Sequence, residues 1–179
     1  MPDRVTFSGQ AIDLRQFAFY YDDVEKSLRL YFSSDAKTYA LRFAGYSYAE
    51  VRSELSKRLT ELEMGSALAV LSAIEAAFRI DYLQRCYLKK KDPVSRSFRA
   101  LHKEKGARVS LEDEIFEVWK THTAGASVLI GYLRGAFRFR HWLAHGRYWT
   151  PRFPRYDFST LYSLAETALN SLQLLGTGP

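Results

Sequence analysis

The sequence predicts a mainly helical bundle with a small antiparallel β-meander at its N-terminus. Three observations carry this. Apolar residues recur at helical spacing from Ser47 onward, Gly and Pro punctuate that pattern, and the first 45 residues instead hold short aromatic runs. The 179 residues suit one bundle, and 47% apolar against 26% charged composition supplies a core. The expected division is an N-terminal appendage over 1–46 and a helical bundle over 47–179.

The runs QFAFYY (16–21), LRLYF (28–32) and TYALRFA (38–44) read as strands, separated by Asp22-Asp23 and Ser33-Ser34-Asp35. Beyond them Val51, Leu55, Leu59 and Leu62 mark a helix that Gly65 interrupts or ends. Ala67 to Leu88 is a long run rich in Ala and Leu, with a stripe of Leu68, Leu71, Ile74, Phe78 and Leu83. Lys89 to Pro93 breaks it. A shorter helix over 94–105 stops at Gly106, and Ser110 with Asp113 resembles a capping box opening an acidic helix over 111–121. Gly125 to His145 is the next long helix, stopped by Gly146. Asp157 or Ser159 caps a last helix over 161–175, closed by Gly176.

Composition narrows the function classes. The lone Cys86 excludes an intramolecular disulfide and suits a reducing compartment. The first residues carry no apolar signal region, and no apolar stretch approaches a membrane span, so a cytoplasmic protein without membrane contact is expected. Gly-rich phosphate loops and Gly-x-Ser-x-Gly elbows are absent, which leaves nucleotide and serine hydrolases unsupported. Cys86 sits in an apolar run, where a buried structural thiol is expected rather than a nucleophile. His102 and His122 are isolated and read as surface residues.

The net charge is +6, and its placement is informative. Between Arg134 and Tyr156 stand six arginines and two histidines with no acid. On a helix, Arg134, Arg138, His141 and His145 share one stripe. Such a stripe faces water, an anion, another subunit, or acids such as Glu112, Asp113, Glu114 and Glu117. His141 and His145 four apart lack the Glu of a zinc-protease helix and an evident third ligand, so no metal is expected.

Arg140-His141-Trp142-Leu143-Ala144-His145 resembles the HEPN superfamily motif, in which Arg is followed by a polar residue, three variable residues and His. The motif lies late in a long helix with a final helix after it. The earlier SAIEAAFRIDYLQR segment, with Glu75 and Arg79, resembles the helix that faces the motif in such folds. The resemblance spans roughly 47–175 and implies a HEPN-like bundle that cuts RNA without metal or cofactor. It implies catalytic roles for Arg140, His145 and His141, a supporting pair in Glu75 and Arg79, and a homodimer with a composite site. It makes RNA the substrate and a toxin or defence effector the biological type, with an antitoxin protein as a further partner. Arg134, Arg138, Arg147 and Tyr148 are expected to hold the RNA. In HEPN toxins paired with nucleotidyltransferases a Tyr often lies two residues past the His; here Arg147 stands there and Tyr148 one later. Alternatives are a catalytically inactive HEPN-like module for RNA or protein binding, and a structural helical dimer. Arg140 and His145 would diverge by about 140° on an ideal helix. Unwinding near Gly146, or two motifs meeting in one cleft as the resemblance implies, would bring them together, and a homodimer with a composite site is expected.

Overall fold

A computed structural model describes residues 4–176. The helices are α1 (Leu14–Tyr31), α2 (Tyr39–Arg42), α3 (Tyr48–Tyr87), α4 (Pro93–Lys105), α5 (Phe116–His122), α6 (Ala126–Ala144) and α7 (Phe158–Leu172), and a π-helical turn, Leu111–Ile115, leads into α5. The described residues contain no strand, so the mainly helical class stands and the β-meander does not.

The correction has a physical cause. Aromatic residues favour strands because they pack well on pleated surfaces, a preference that context overrides. Leu14, Phe17, Ala18, Tyr21, Val24 and Leu28 follow helical spacing, and each is half-buried along one side of α1. The Asp13 carboxylate caps this helix, accepting from the amides of Arg15 and Gln16 at 2.8 and 3.1 Å. Lys26 pairs with Asp22 and Arg29 with Glu25 one turn apart. The segment expected as a second strand is the end of α1, and the third holds α2.

α3 is the spine. Ser47 opens it with a capping box, the Glu50 carboxylate accepting from the Ser47 amide at 2.7 Å. The helix runs through Gly65, whose missing side chain faces open space, so the interruption expected there does not occur. A glycine inside a helix costs about 1 kcal/mol, which a forty-residue helix packed along its length absorbs. From Ser66 onward burial is nearly continuous, with Val70, Leu71, Ile74 and Phe78 wholly enclosed. α1, α4, α6 and α7 all pack against α3.

Gly106 ends α4 at φ 61°, as only glycine does without strain. At Ser110 the cap is displaced from the simple box. The Ser110 hydroxyl accepts from the Asp113 amide, but Glu114, not Asp113, returns a carboxylate to the Ser110 amide at 2.7 Å. The wider π turn places that fifth residue within reach. α7 begins earlier than Leu161 because Asp157 caps it through the Thr160 amide at 2.7 Å, and it ends at Leu172.

One charged pair lies within the core. Asp81 is wholly buried, and its carboxylate accepts from Arg85 Nε at 2.7 Å and from the Leu175 amide at 2.8 Å. Arg85 also reaches Asp92 at 3.2 Å and lies over the Trp119 ring. Burial pushes the Asp81 carboxyl above its usual range, against the opposing pull of Leu175 and Arg85. Arg85→Ala leaves that carboxylate enclosed without its cation. Urea unfolding is expected to show a loss of about 3–5 kcal/mol, and a smaller loss for Asp81→Asn, because Arg85 keeps Asp92.

Candidate functional site

α6 carries the motif and sorts its charges by direction. Leu133, Ala136, Phe137 and Phe139 bury against the core, which fixes the rotation of the helix. Arg140 is thereby turned toward α3, where its Nη2 meets Glu75 Oε2 at 2.9 Å. The other Glu75 oxygen accepts from Arg79 Nε at 2.8 Å, and Arg79 also donates to the Val109 carbonyl at 3.1 Å. One carboxylate thus holds two guanidinium groups. Arg140 Nε is buried beside them without a hydrogen-bond partner. These three side chains line a cleft of about 390 Å³, completed by Phe137 and the first turn after Ser110, including Glu112 and Asp113.

Glu112 comes from the π turn and lines that cleft. Burial and the neighbouring Asp113 push its carboxyl above the usual range, and Arg134, Arg138 and His141 pull it the other way. Arg134 anchors the turn, donating to the Glu112 carbonyl at 2.7 Å and to Glu117 at 2.6 Å. Part of the arginine stripe is therefore answered by the acidic helix of the same chain.

The histidines point elsewhere. α6 is regular to Ala144, and His145 leaves helical geometry at φ −93°, ψ 19°. The His141 and His145 rings lie 4.2 Å apart, both residues exposed. Arg140 faces α3 while the His145 ring lies tilted against His141, so the two ends of the motif are engaged by different neighbours. Arg138 is exposed and has no hydrogen bond or ion pair among the described residues.

Past the helix, Gly146 and Arg147 both adopt positive φ, 78° and 60°. The turn returns the Gly146 and Arg147 amides to the carbonyls of Leu143 and Trp142, which satisfies the helix end. Positive φ is unfavourable for arginine, by about 1 kcal/mol. Arg147 is held there by a two-pronged pair with Glu61 at 2.9 and 3.0 Å, which keeps the Glu61 carboxyl below its usual range. Tyr148 is 83% exposed and meets Trp149 edge-on, while Trp149 accepts from Trp142 Nε1 at its carbonyl.

Of the expected site residues, Arg140, Glu75 and Arg79 form one cluster at the cleft. His141 and His145 form a second on the outer surface. Arg134 and Arg147 are tied to acids. Glu112, Glu61 and Glu117 belong to this network and were not singled out as site residues. Glu61 had no sequence signal, since it pairs 86 positions away. Cys86 is buried and its thiol is pushed up to about 11 by that burial, which removes it as a nucleophile at neutral pH. His102 is half-buried, within 3.1 Å of the Tyr82 hydroxyl, and His122 meets Ser97 at the surface. Among the described residues no three His, Cys, Asp or Glu side chains converge to hold a metal, and no helix is long and apolar enough to cross a membrane.

No family model, curated protein or solved structure matches the chain. The HEPN resemblance rests on the six-residue motif and the helical pattern around it.

The shared carboxylate is testable by itself. Glu75→Gln keeps the shape and removes the charge facing both arginines. It is expected to lower stability by about 1–2 kcal/mol, the groups being partly solvated. In a double-mutant cycle with Arg140→Met the two losses should be less than additive by about 0.5 kcal/mol or more.

Proposed function

We propose that this protein is a metal-independent endoribonuclease of the toxin or defence-effector type, acting as a homodimer with a composite site. The observation that carries the reading is the exposed His141–His145 ring pair at the end of α6, bordered by the unpaired Arg138 and by Arg140 in its Glu75 clamp.

The chemistry needs no cofactor. A base takes the proton of the RNA 2′-hydroxyl, whose oxygen attacks the adjacent phosphorus. The bond to the 5′-oxygen breaks, and an acid gives that oxygen a proton. The products are a 2′,3′-cyclic phosphate and a 5′-hydroxyl. A histidine near neutral pH can do either proton transfer, and His145 with His141 supplies two imidazoles. Arginine suits the phosphorane-like transition state because its fork matches phosphate oxygens. Because Arg140 and His145 face different ways on one copy, the reading has the His pair of one protomer and Arg140 of the other meet on one phosphate. Arg138 and Tyr148 then hold the neighbouring backbone and bases, whereas Arg134 and Arg147 would first have to leave Glu117 and Glu61.

A second reading, a binding module without catalysis, is favoured by one observation: Arg140 is already engaged by Glu75. An antitoxin-like partner belongs to either reading and would cover the same basic rim.

The deciding experiment is digestion of total RNA and tRNA with EDTA present, comparing wild type with Arg140→Ala and His145→Ala. Cleavage by the wild type alone, leaving cyclic phosphate ends, is expected. Equal cleavage by His145→Ala removes the catalytic assignment, and no cleavage by any of them favours the binding module. Arg138→Ala should weaken RNA binding and flatten its log–log salt dependence by about one counterion. An unchanged salt slope excludes Arg138 as a phosphate contact.

A further inference from the structure

Most of the exposed large apolar side chains among the described residues fall between Val5 and Tyr48. On α1 they form an ordered surface. One stripe, Leu14, Phe17, Ala18 and Tyr21, packs inward, with Tyr21 stacked on Phe158 at 4.0 Å and bonded to Glu63. A second stripe, Tyr20, Val24, Ser27 and Tyr31, runs beside it at spacings of four, three and four residues. It lines an open groove of about 410 Å³ with Leu28 and Asp23. Tyr20 is 58% exposed and Tyr31 49%, and Phe19 and Leu30 extend the apolar surface further round. Arg15, Asp22, Lys26 and Arg29 fall together on the remaining side of an ideal helix. A helix that is apolar well beyond the stripe its own core covers has a partner for the rest.

We infer that α1 joins two copies of this chain, antiparallel across a two-fold axis near Val24 and Ser27. The seam is self-complementary about that point. Large side chains close both ends and small ones occupy the centre, so Tyr20 of one copy lies opposite Tyr31 of the other and Val24 opposite Ser27. The 4-3-4 spacing is that of a helix–helix seam. Charge sets the direction. The groove's one acid, Asp23, lies toward the Tyr20 end, and Arg42 caps the Tyr31 end, its guanidinium 4.1 Å from the ring centre and donating to the Tyr31 carbonyl. A parallel pair would set Asp23 against Asp23 and Arg42 against Arg42. The antiparallel pair sets each Arg42 toward the Asp23 end of the other copy. A self-matched patch of this kind is what a closed dimer requires.

This inference rests on the homodimer of the proposed function but not on its chemistry, which RNA digestion tests separately. It is tested by sedimentation equilibrium of the full chain across micromolar concentrations, beside Ser27→Arg and Tyr20→Lys. Both positions are exposed, so helical circular dichroism should stay unchanged, while the melting temperature of a dissociated variant should lose its dependence on protein concentration. Wild type is expected at twice the chain mass, and Ser27→Arg at the mass of one chain, since it buries a charge at the seam centre. Asp23→Arg should weaken association, and adding Arg42→Glu to it should restore part of the loss. A monomeric wild type overturns the inference and assigns the stripe to a different protein. A dimer that neither Ser27→Arg nor Tyr20→Lys disturbs overturns it as well, by placing the contact elsewhere.

Discussion

A helix of forty residues is about 60 Å long, and α3 uses that length to hold the rest of the chain by its carboxylates. Glu61 holds Arg147 and with it the turn after α6. Glu63, on the other side of the helix, accepts from the Phe158 amide at the start of α7 and from Tyr21 on α1. Glu75 holds Arg140 and Arg79. Asp81 holds Arg85 and the Leu175 amide beyond α7. Apolar burial supplies the stabilisation, but burial is not directional. These polar anchors select one arrangement among the many in which helices of this size could pack, and a kink at Gly65 would put Glu61 and Glu63 out of step with Glu75 and Asp81.

Charge placement in the last third of the chain follows from this. The segment from Arg134 to Tyr156 contains no acid, so every partner comes from another element. Arginines partly enclosed by the fold gain from one, because a desolvated, unpaired cation is costly. Arg134 finds Glu117, Arg140 finds Glu75 and Arg147 finds Glu61. Arg138, His141 and His145 face outward and have no such need. The groups that remain available to an external anion are thus those that the core did not recruit.

Much of the bundle was legible because helix ends are written locally. Gly106, Asp157 and Gly146 act where they stand in the sequence, and the structure uses each of them. The N-terminal segment was misread because its aromatic runs carry strand propensity, while the stripe of Leu14, Phe17, Tyr21 and Leu28 that decides the matter is interrupted by equally aromatic neighbours. Gly65 misled for the opposite reason, being a local signal that tertiary packing outweighed. In the site, the pairing of Glu75 with Arg79 was readable at four-residue spacing. So was Asp81 with Arg85, a second acid–base pair at the same spacing in that helix. The attachment of Arg140 to Glu75 depends on how α6 is rotated, which its buried face settles only once α3 is beside it. The return of Glu114 to Ser110 depends on a π turn that no residue type announces.

The clamp on Arg140 bears on where an anion could sit. Two guanidinium groups share the Glu75 carboxylate, so that trio has an excess of one positive charge. Glu112 and Asp113 line the same cleft and outweigh it. The raised Glu112 carboxyl reflects that crowding of acids as well as burial. A phosphate drawn into the cleft floor would meet repulsion from both. The outer surface carries positive charge instead, since Arg138 is exposed on α6 and Arg152 and Arg155 are exposed in the following loop. Under the proposed reading a polyanion would meet the protein at the end of α6, not in the cleft. Arg140 is held in the cleft by Glu75, so the proposed chemistry needs the composite arrangement, in which a second protomer would supply what one copy lacks.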